Sequence, residues 1–558
     1  MKRITAVILS VVFASSAFAA TETQRYQVAT RTAVGAAHIG TMIRDIEGTS
    51  STTSTSARNI TAFQSVNGFA ADLTADEAAA LSKSADVIYV EPAVERHAFG
   101  LPAQKTTDTD KLNPFAQTVP FGVDLVRARE VWQVTRGQGI NVVVVDTGID
   151  FNHPELAAAY AGGYNIFDPA SPPMDDNDHG THVSGTIAAA DNSFGVVGVA
   201  PGVKLWAVKV LDSGGTGSSD KIIQAIDWVI GKKNTLGGNW IMNFSLGSPS
   251  PSGLENRAFG RANDAGIIVC AASGNESTAT LPAAIDYPAA YANVLAIGAV
   301  DSTKTIASFS NQGPQLAVVG PGVSILSTVP VGAGSSVSVT TGTTALTASS
   351  LAGSALGTIT GQYVFCGYGT PTEFPASVNG KIALIQRGNG VFFYDKVKNA
   401  KDAGAVAAVI FNNGGDFSAG FTLKSTDQAW TQTYMFPIAV MIDTADGAAL
   451  RANPNQTITV TYKADDYDVY SGTSMATPHA VGVAALVWGA APNDTAAQIR
   501  AALTSTATDL GASGFDNVYG NGLLDALSAA KAVAPARFGN GGTPVPTPTG
   551  RTHAVRRH

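Results

Sequence analysis

Residues 139–150 read Gly-Ile-Asn-Val-Val-Val-Val-Asp-Thr-Gly-Ile-Asp. Ile140–Val145 is an apolar run broken only by Asn141, without the alternation of a strand that shows one face to water. A strand of this kind is covered on both faces, as in a parallel sheet between two layers of helices. Four more such runs follow, at Leu205–Val210, Trp240–Ser245, Ile267–Ala271 and Val294–Val300. Helical patterns at Ser219–Lys233 and Glu255–Ala265 lie between them. This alternation predicts an α/β domain built on a doubly wound, mostly parallel sheet. Such sheets bind ligands beyond the carboxyl ends of their strands, and Asp146 closes the first of them.

The 558 residues allow three or four domains. Charged residues make up 14%, and the net charge of −8 speaks against a nucleic-acid footprint. Two cysteines cannot form a disulfide framework. Cys270 falls on a predicted strand and reads as a small buried hydrophobe, and Cys366 falls in a separate region. The charge is uneven: residues 1–20 carry +2, 21–115 carry −3, 116–535 carry −11 and 536–558 carry +4. These breaks point to a precursor with removable ends.

Residues 1–19 read as a signal peptide, with Lys2-Arg3, the apolar stretch Ile4–Phe13 and the small-residue site Ala17-Phe18-Ala19. A secreted, extracellular protein is expected, with no membrane span in the remainder. Residues 20–99 form a small unit. Tyr26–Thr30 is a predicted strand, Ala36–Ile46 a helix and Ile60–Leu73 two strands. A helix capped by Thr74 with Glu77 three residues on, and a strand at Val87–Val90, complete it. The order β-α-β-β-α-β is ferredoxin-like α+β. Residues 100–115 are a linker, and 116–330 carry the first part of the large domain. Residues 331–466 change to a Gly/Ser/Thr/Val-rich character and read as an insert. The large domain resumes at 467–535, with helices at Ser474–Trp488 and Asp494–Thr506, and 536–558 form a flexible Gly/Thr/Pro tail.

Three segments carry candidate chemistry. The first is Val144-Val145-Asp146-Thr147-Gly148-Ile149-Asp150, whose Asp146 alone is also compatible with a turn or cap. The second is Asp178-His179-Gly180-Thr181-His182, opening a helix near His179. Either histidine fits a buried, satisfied imidazole, and the pair, three residues apart, also fits two metal ligands. The third is Gly472-Thr473-Ser474-Met475-Ala476-Thr477-Pro478-His479. A serine opening a helix is often only a cap. Pro478 is expected in the first turn, where its missing amide hydrogen costs nothing.

The strings VVDTGID, HGTHVSGT and GTSMATPH, in that order, resemble the subtilisin-like serine proteases (subtilases) from about Ala116 to Ala532. The resemblance implies Asp146, His179 and Ser474 as a catalytic triad. The serine needs a base, the imidazole titrates near neutrality, and the carboxylate orients it. It implies Asn275 as a side-chain donor to the oxyanion, together with the backbone N–H of Ser474. Ser245, Leu246 and Gly247, with Ala272, Ser273 and Gly274, resemble the segments that bind substrate. Their two glycines suggest a broad preference for apolar residues before the scissile bond. Calcium is the implied structural ion, held by the side chains of Gln117, Glu155 and Asn192 and the carbonyls of Ala190, Phe194 and Val196. The family more often carries aspartate where this chain has Glu155. No cofactor is expected for catalysis.

The strings at Asn67–Leu73 and Ile88–Pro92 resemble the inhibitor-type propeptide of the family, an intramolecular chaperone and inhibitor. The maturation site then falls between about Gly100 and Ala116. Gly380–Gly388 and the following Lys401–Phe411 resemble a protease-associated (PA) domain, which implies a mainly-β insert. The expected protein is a monomeric zymogen of a secreted serine endopeptidase acting on proteins and peptides. Two other classes remain at this point. One is a binding protein on an inactive protease scaffold. The other is a serine esterase, against which stands the lack of a Gly-x-Ser-x-Gly elbow around Ser474.

Overall fold

The structure is a computed structural model that describes residues 22–47, 58–99, 101–102, 112, 116–414, 421–423, 435–454 and 456–538. The expected signal peptide, most of the linker 100–115 and nearly all of the tail lie outside the described residues.

The N-terminal unit runs β1 (Gln24–Thr30), helix Ala36–Glu47, β2 (Thr61–Ala62), β3 (Gly68–Leu73), helix Ala75–Leu81, β4 (Val87–Pro92). Its sheet has the order β2-β3-β1-β4, with β1 antiparallel to both neighbours. Thr74 caps the second helix through the expected reciprocal box: Glu77 N donates to Thr74 Oγ1 and Thr74 N to Glu77. The chain continues through β5 (Glu95–Ala98) and β6 (Leu101–Pro102).

The large domain is a seven-stranded parallel sheet. Its strands are β7 (Ile140–Asp146), β8 (Tyr160–Asn165), β9 (Lys204–Lys209), β11 (Asn239–Phe244), β13 (Ile267–Ala272), β14 (Leu295–Val300) and β15 (Leu316–Pro321). Two short strands, β10 (Thr216–Ser218) and β12 (Leu246–Gly247), stand at the cleft. The sheet order is β15-β14-β13-β11-β7-β9-β8, so the winding reverses beside β7 and Asp146 ends the strand at that switch point. Every residue of β7 is buried. Val142 and Val144 face one core, with Val183 and Val483, while Val143 and Val145 face the other, with Ile222 and Phe259. This period of two is what a strand with both faces covered requires. β8 gives no apolar run in the sequence, since it contains Gly162 and Gly163, and the short run Leu316–Val319 of β15 closes in Gly320-Pro321 at the sheet edge.

The helix Thr473–Ala490 is buried almost all round, as expected of a helix without a polar face. It begins at Thr473, which puts Pro478 in the second turn and not in the first. The missing amide hydrogen therefore leaves the Ser474 carbonyl without its helical donor. Ser245 Oγ donates to that carbonyl at 2.8 Å and fills the gap.

The insert leaves and re-enters the large domain at one place. Ile325–Thr328 pairs antiparallel with Tyr467–Ser471. Beyond it, Gly334–Thr341 pairs with Thr457–Asp465 over eight residue pairs. The insert's nine-stranded sheet has the buried parallel strands Ile382–Gln386, Ala407–Phe411 and Ile438–Ile442 at its centre, and two apolar clusters of its own. Because the two ends meet in a strand pair, the register of the large sheet is undisturbed by the excursion. Cys270 and Cys366 are both buried and free, and burial pushes each thiol up to about 12. Among the described residues no helix is long and apolar enough to cross a membrane.

Candidate active site

Asp146 and His179 are brought together by a polar network at the end of β7. Thr147 Oγ1 donates to Asp175 Oδ1 at 2.8 Å and accepts from Gly180 N at 2.9 Å. Asp175 also accepts from Thr181 N at 2.8 Å. The strand end is thus tied to the first turn of the helix His179–Ala188. The His179 imidazole lies with Nδ1 2.8 Å from Asp146 Oδ1, and Asp146 is fully buried. Burial alone would push this imidazole down. The Asp146 charge and hydrogen bond, with Asp175 and Asp178 behind them, hold it above its usual value. Its Nε2 has no hydrogen-bond partner.

His182 has a separate setting. Its Nε2 lies 3.0 Å from the Ile325 carbonyl, and its ring stacks on Tyr470 at 4.4 Å. Burial, helped by the nearby His179, pushes it down to about 3. The two imidazoles do not converge on a common point. Among the described residues no group of three or more His, Cys, Asp or Glu is placed to hold a metal.

Ser474 occupies the second position of its helix, and its Oγ donates to Ser245 O at 2.8 Å. Asn275 follows β13. Its Oδ1 accepts from Thr473 N at 3.0 Å and from Thr473 Oγ1 at 2.9 Å. These two donors fix the amide so that Nδ2 points outward, where it donates to the Phe99 carbonyl at 2.7 Å. Thr473 is a positioning residue that sequence reasoning missed, although it adjoins Ser474 in the quoted string.

The chain's own segment fills the cleft. β5 lies between β10 and β12 and is antiparallel to both, with pairs His97↔Thr216 and His97↔Gly247. Ala98 N donates to Gly215 O at 2.9 Å and Phe99 N to Ser245 O at 3.3 Å. This is strand addition to exposed edges. The Phe99 ring lies against Gly247, where a Cβ would come within 2.7 Å of it. The Phe99 carbonyl lies against Gly472, where a Cβ would come within 2.4 Å. Beyond Phe99, β6 pairs with Tyr470 and Ser471. Of the expected substrate residues, Ser245, Leu246 and Gly247 touch this segment. Ala272 and Ser273 are buried at the end of β13, and Gly274, at φ +109°, packs on Asn311.

The N-terminal unit also grips the outer helices. Glu91 accepts from Gly253 N and Leu254 N, at 3.1 Å each, at the start of the helix Gly253–Asp264. Asp227 accepts from Gln64 N at 2.7 Å and from Ser65 N.

The loop expected to hold calcium converges on Gln117. Its amide nitrogen faces Ala190 O at 2.6 Å, Asn192 Oδ1 at 3.2 Å and Val196 O at 3.2 Å. Turning that amide would add its oxygen to the other three, a largely neutral oxygen set that suits a hard cation. Glu155 stands one step behind. It accepts from Asn192 Nδ2 at 2.8 Å, Val196 N at 3.1 Å and Tyr467 Oη at 3.1 Å. Phe194 lies in the same loop, its N–H donating to Asn192 Oδ1 at 2.9 Å.

Asp146 and His179 meet at the switch point of a parallel sheet, Ser474 Oγ is turned to Ser245 O, and the segment laid in the cleft brings its Phe99 carbonyl to Asn275 and Gly472, an arrangement that fits a serine peptidase. Comparison with known proteins agrees. A sequence model of the subtilase family matches residues 137–361 and 431–522. One for the PA domain matches 352–450, and one for the peptidase inhibitor I9 matches 17–99. The chain is 45% identical to subtilisin DY of Bacillus licheniformis over 216 residues, 38% of this chain and 76% of that enzyme. It is 40% identical to subtilisin E of Bacillus subtilis (strain 168) over 271 residues, 48% of this chain and 65% of that protein. It also resembles the crystal structure of a psychrophilic subtilisin-like protease from the Antarctic psychrotroph Pseudoalteromonas sp. AS-11. There the identity is 31% and the TM-score 0.55, covering 76% of this chain and all of the other. The chain belongs to the subtilase family: it is a serine endopeptidase with an I9 propeptide and an inserted PA domain.

Proposed function

We propose that the chain is a secreted zymogen that cleaves itself after Phe99 and then hydrolyses proteins after large apolar residues. The observation that carries this reading is the hydrogen bond from Asn275 Nδ2 to the Phe99 carbonyl, beside Ser474 at its helix start. In the proposed reaction the Ser474 hydroxyl turns from Ser245 O to the free Nε2 of His179, which takes its proton. The serine oxygen attacks the Phe99 carbonyl carbon, and Asn275 with the Ser474 N–H bears the oxyanion. Asp146 holds the imidazole and stabilises its cation. His179 returns the proton to the nitrogen of Gly100 as the peptide bond breaks, and water releases the acyl group in a second, mirrored step.

The site for Phe99 supports an apolar preference, since Gly247 leaves room for a ring. Maturation is expected to produce an enzyme whose first residue is Gly100, read by N-terminal sequencing of the active product. A start at another residue, or a library cut only after Lys or Arg, would overturn this reading.

Gln117, Asn192 and the carbonyls of Ala190, Phe194 and Val196 would hold calcium, with Glu155 supplying the charge. The ion would clamp the 190–196 loop to the start of the large domain and take no part in bond cleavage. Chelation of the mature enzyme is expected to lower its melting temperature. At free calcium of about 100 times Kd the ion contributes about 2.7 kcal/mol, which is several degrees for a domain of this size. A melting temperature indifferent to chelator and to added calcium would remove the assignment.

A further inference from the structure

The segment in the cleft carries a second signature, three residues before Phe99. Arg96 leaves β5 toward the first turn of the helix Gly253–Asp264 and meets Glu255, and both side chains are 0% exposed. The pair is bidentate: Nε lies 3.1 Å from Oε1, and Nη2 donates to Oε2. Nη1 donates to Ser250 O at 2.9 Å and to Ser248 Oγ. Tyr291 Oη donates to Glu255 Oε2 at 2.8 Å and holds the carboxylate in place. Asp286, 2% exposed and with an unpartnered Oδ2, adds its field to the same guanidinium.

From this geometry we propose that Glu255 makes the cleft select arginine at the fourth residue before the scissile bond. The proposal rests on the reading that Phe99 precedes that bond. Arg96 departs with the propeptide, whereas Glu255 remains in the mature enzyme. A substrate that covers this carboxylate without pairing it leaves a buried charge uncompensated, whereas a guanidinium there restores both hydrogen bonds and the charge balance. Lysine offers a single point charge on the same stem and would serve less well. Leucine fills the space but leaves the carboxylate unpaired, and glutamate is repelled. The propeptide thus displays the sequence its own enzyme prefers: arginine fourth, an apolar ring first.

The test uses mature wild-type enzyme and two quenched fluorescent peptides spanning the maturation sequence Glu-Arg-His-Ala-Phe-Gly-Leu-Pro, one with leucine in place of the arginine. The expected kcat/KM ratio, arginine over leucine, is on the order of 10². In enzyme matured from the double variant Arg96→Leu with Glu255→Leu, whose apolar pair replaces the ion pair, the ratio is expected to fall to one or below. The wild-type ratio carries the test even where the double variant does not fold. Mass spectrometry of the products separates the two readings. Cleavage of both peptides after phenylalanine at rates within threefold overturns the selectivity alone. Cleavage at another bond overturns the placement of Phe99 and the selectivity with it.

Discussion

In Ser474→Ala the chain is expected to stay uncut after Phe99 and to hydrolyse casein on the order of 10⁶ more slowly than wild type, a magnitude known from removal of the same serine in subtilisin. The fold should hardly notice. Ser474 Oγ makes one hydrogen bond, to Ser245 O, and that carbonyl keeps the Phe99 N–H as a donor. A single neutral hydrogen bond contributes about 1 kcal/mol net, so the variant should unfold within a few degrees of the uncut precursor. The loss is therefore chemical. A trace of mature wild-type enzyme added to the variant should release the propeptide in trans and expose Gly100. Unaided release from Ser474→Ala at the wild-type rate would mean that another nucleophile or another protease does the cutting.

The same variant bears on the inactive-scaffold alternative left open by the sequence. A binding protein built on this fold would gain nothing from an orphan imidazole nitrogen at His179 beside a helix-borne serine. That nitrogen is useful only where a proton must be taken up.

The sequence made some of this architecture plain, for physical reasons. Each residue of the proposed triad sits in a short local string, and most of the sheet strands are apolar runs because helices cover both faces. The ferredoxin-like unit was legible down to the Thr74–Glu77 box, because a capping box is a matter of three residues. What stayed hidden depends on where one segment docks against another distant in sequence. Arg96 and Glu255 are 159 residues apart, and nothing local to either distinguishes it from a solvated charge. Phe99 is an unremarked aromatic until its carbonyl is placed on Asn275, 176 residues on. Pro478 falls in the second turn because the helix start is set by tertiary contacts, and its cost is offset by Ser245, far away in the chain. Glu155 and Asn192 are 37 residues apart, and the hydrogen bond by which Asn192 Nδ2 donates to Glu155 is likewise visible only once the fold brings them together.

Asn275→Ala is expected to lower kcat by roughly 10²–10³, the cost of the corresponding donor in subtilisin, with a much smaller change in KM. The size of the effect depends on when the interaction is strongest. Asn275 Nδ2 already touches a neutral peptide carbonyl at 2.7 Å, so some of its energy is present in the bound ground state. As the serine adds, that oxygen becomes an anion, and a hydrogen bond to a charged acceptor is about twice as strong as one between neutral partners. The amide needs no reorientation at that moment, because Thr473 N and Oγ1 hold its oxygen from behind. The gain therefore goes into the transition state, which is what lowers kcat when the donor is lost. Asn275→Asp offers the sharper comparison. It keeps an acceptor for Thr473 while placing a negative charge where the oxyanion forms, so it should fall below Asn275→Ala in kcat although it preserves more of the local hydrogen bonding. Equal stability with kcat in the order wild type, alanine, aspartate would assign the loss to the oxyanion. A rise in KM at unchanged kcat would instead make Asn275 a ground-state substrate contact.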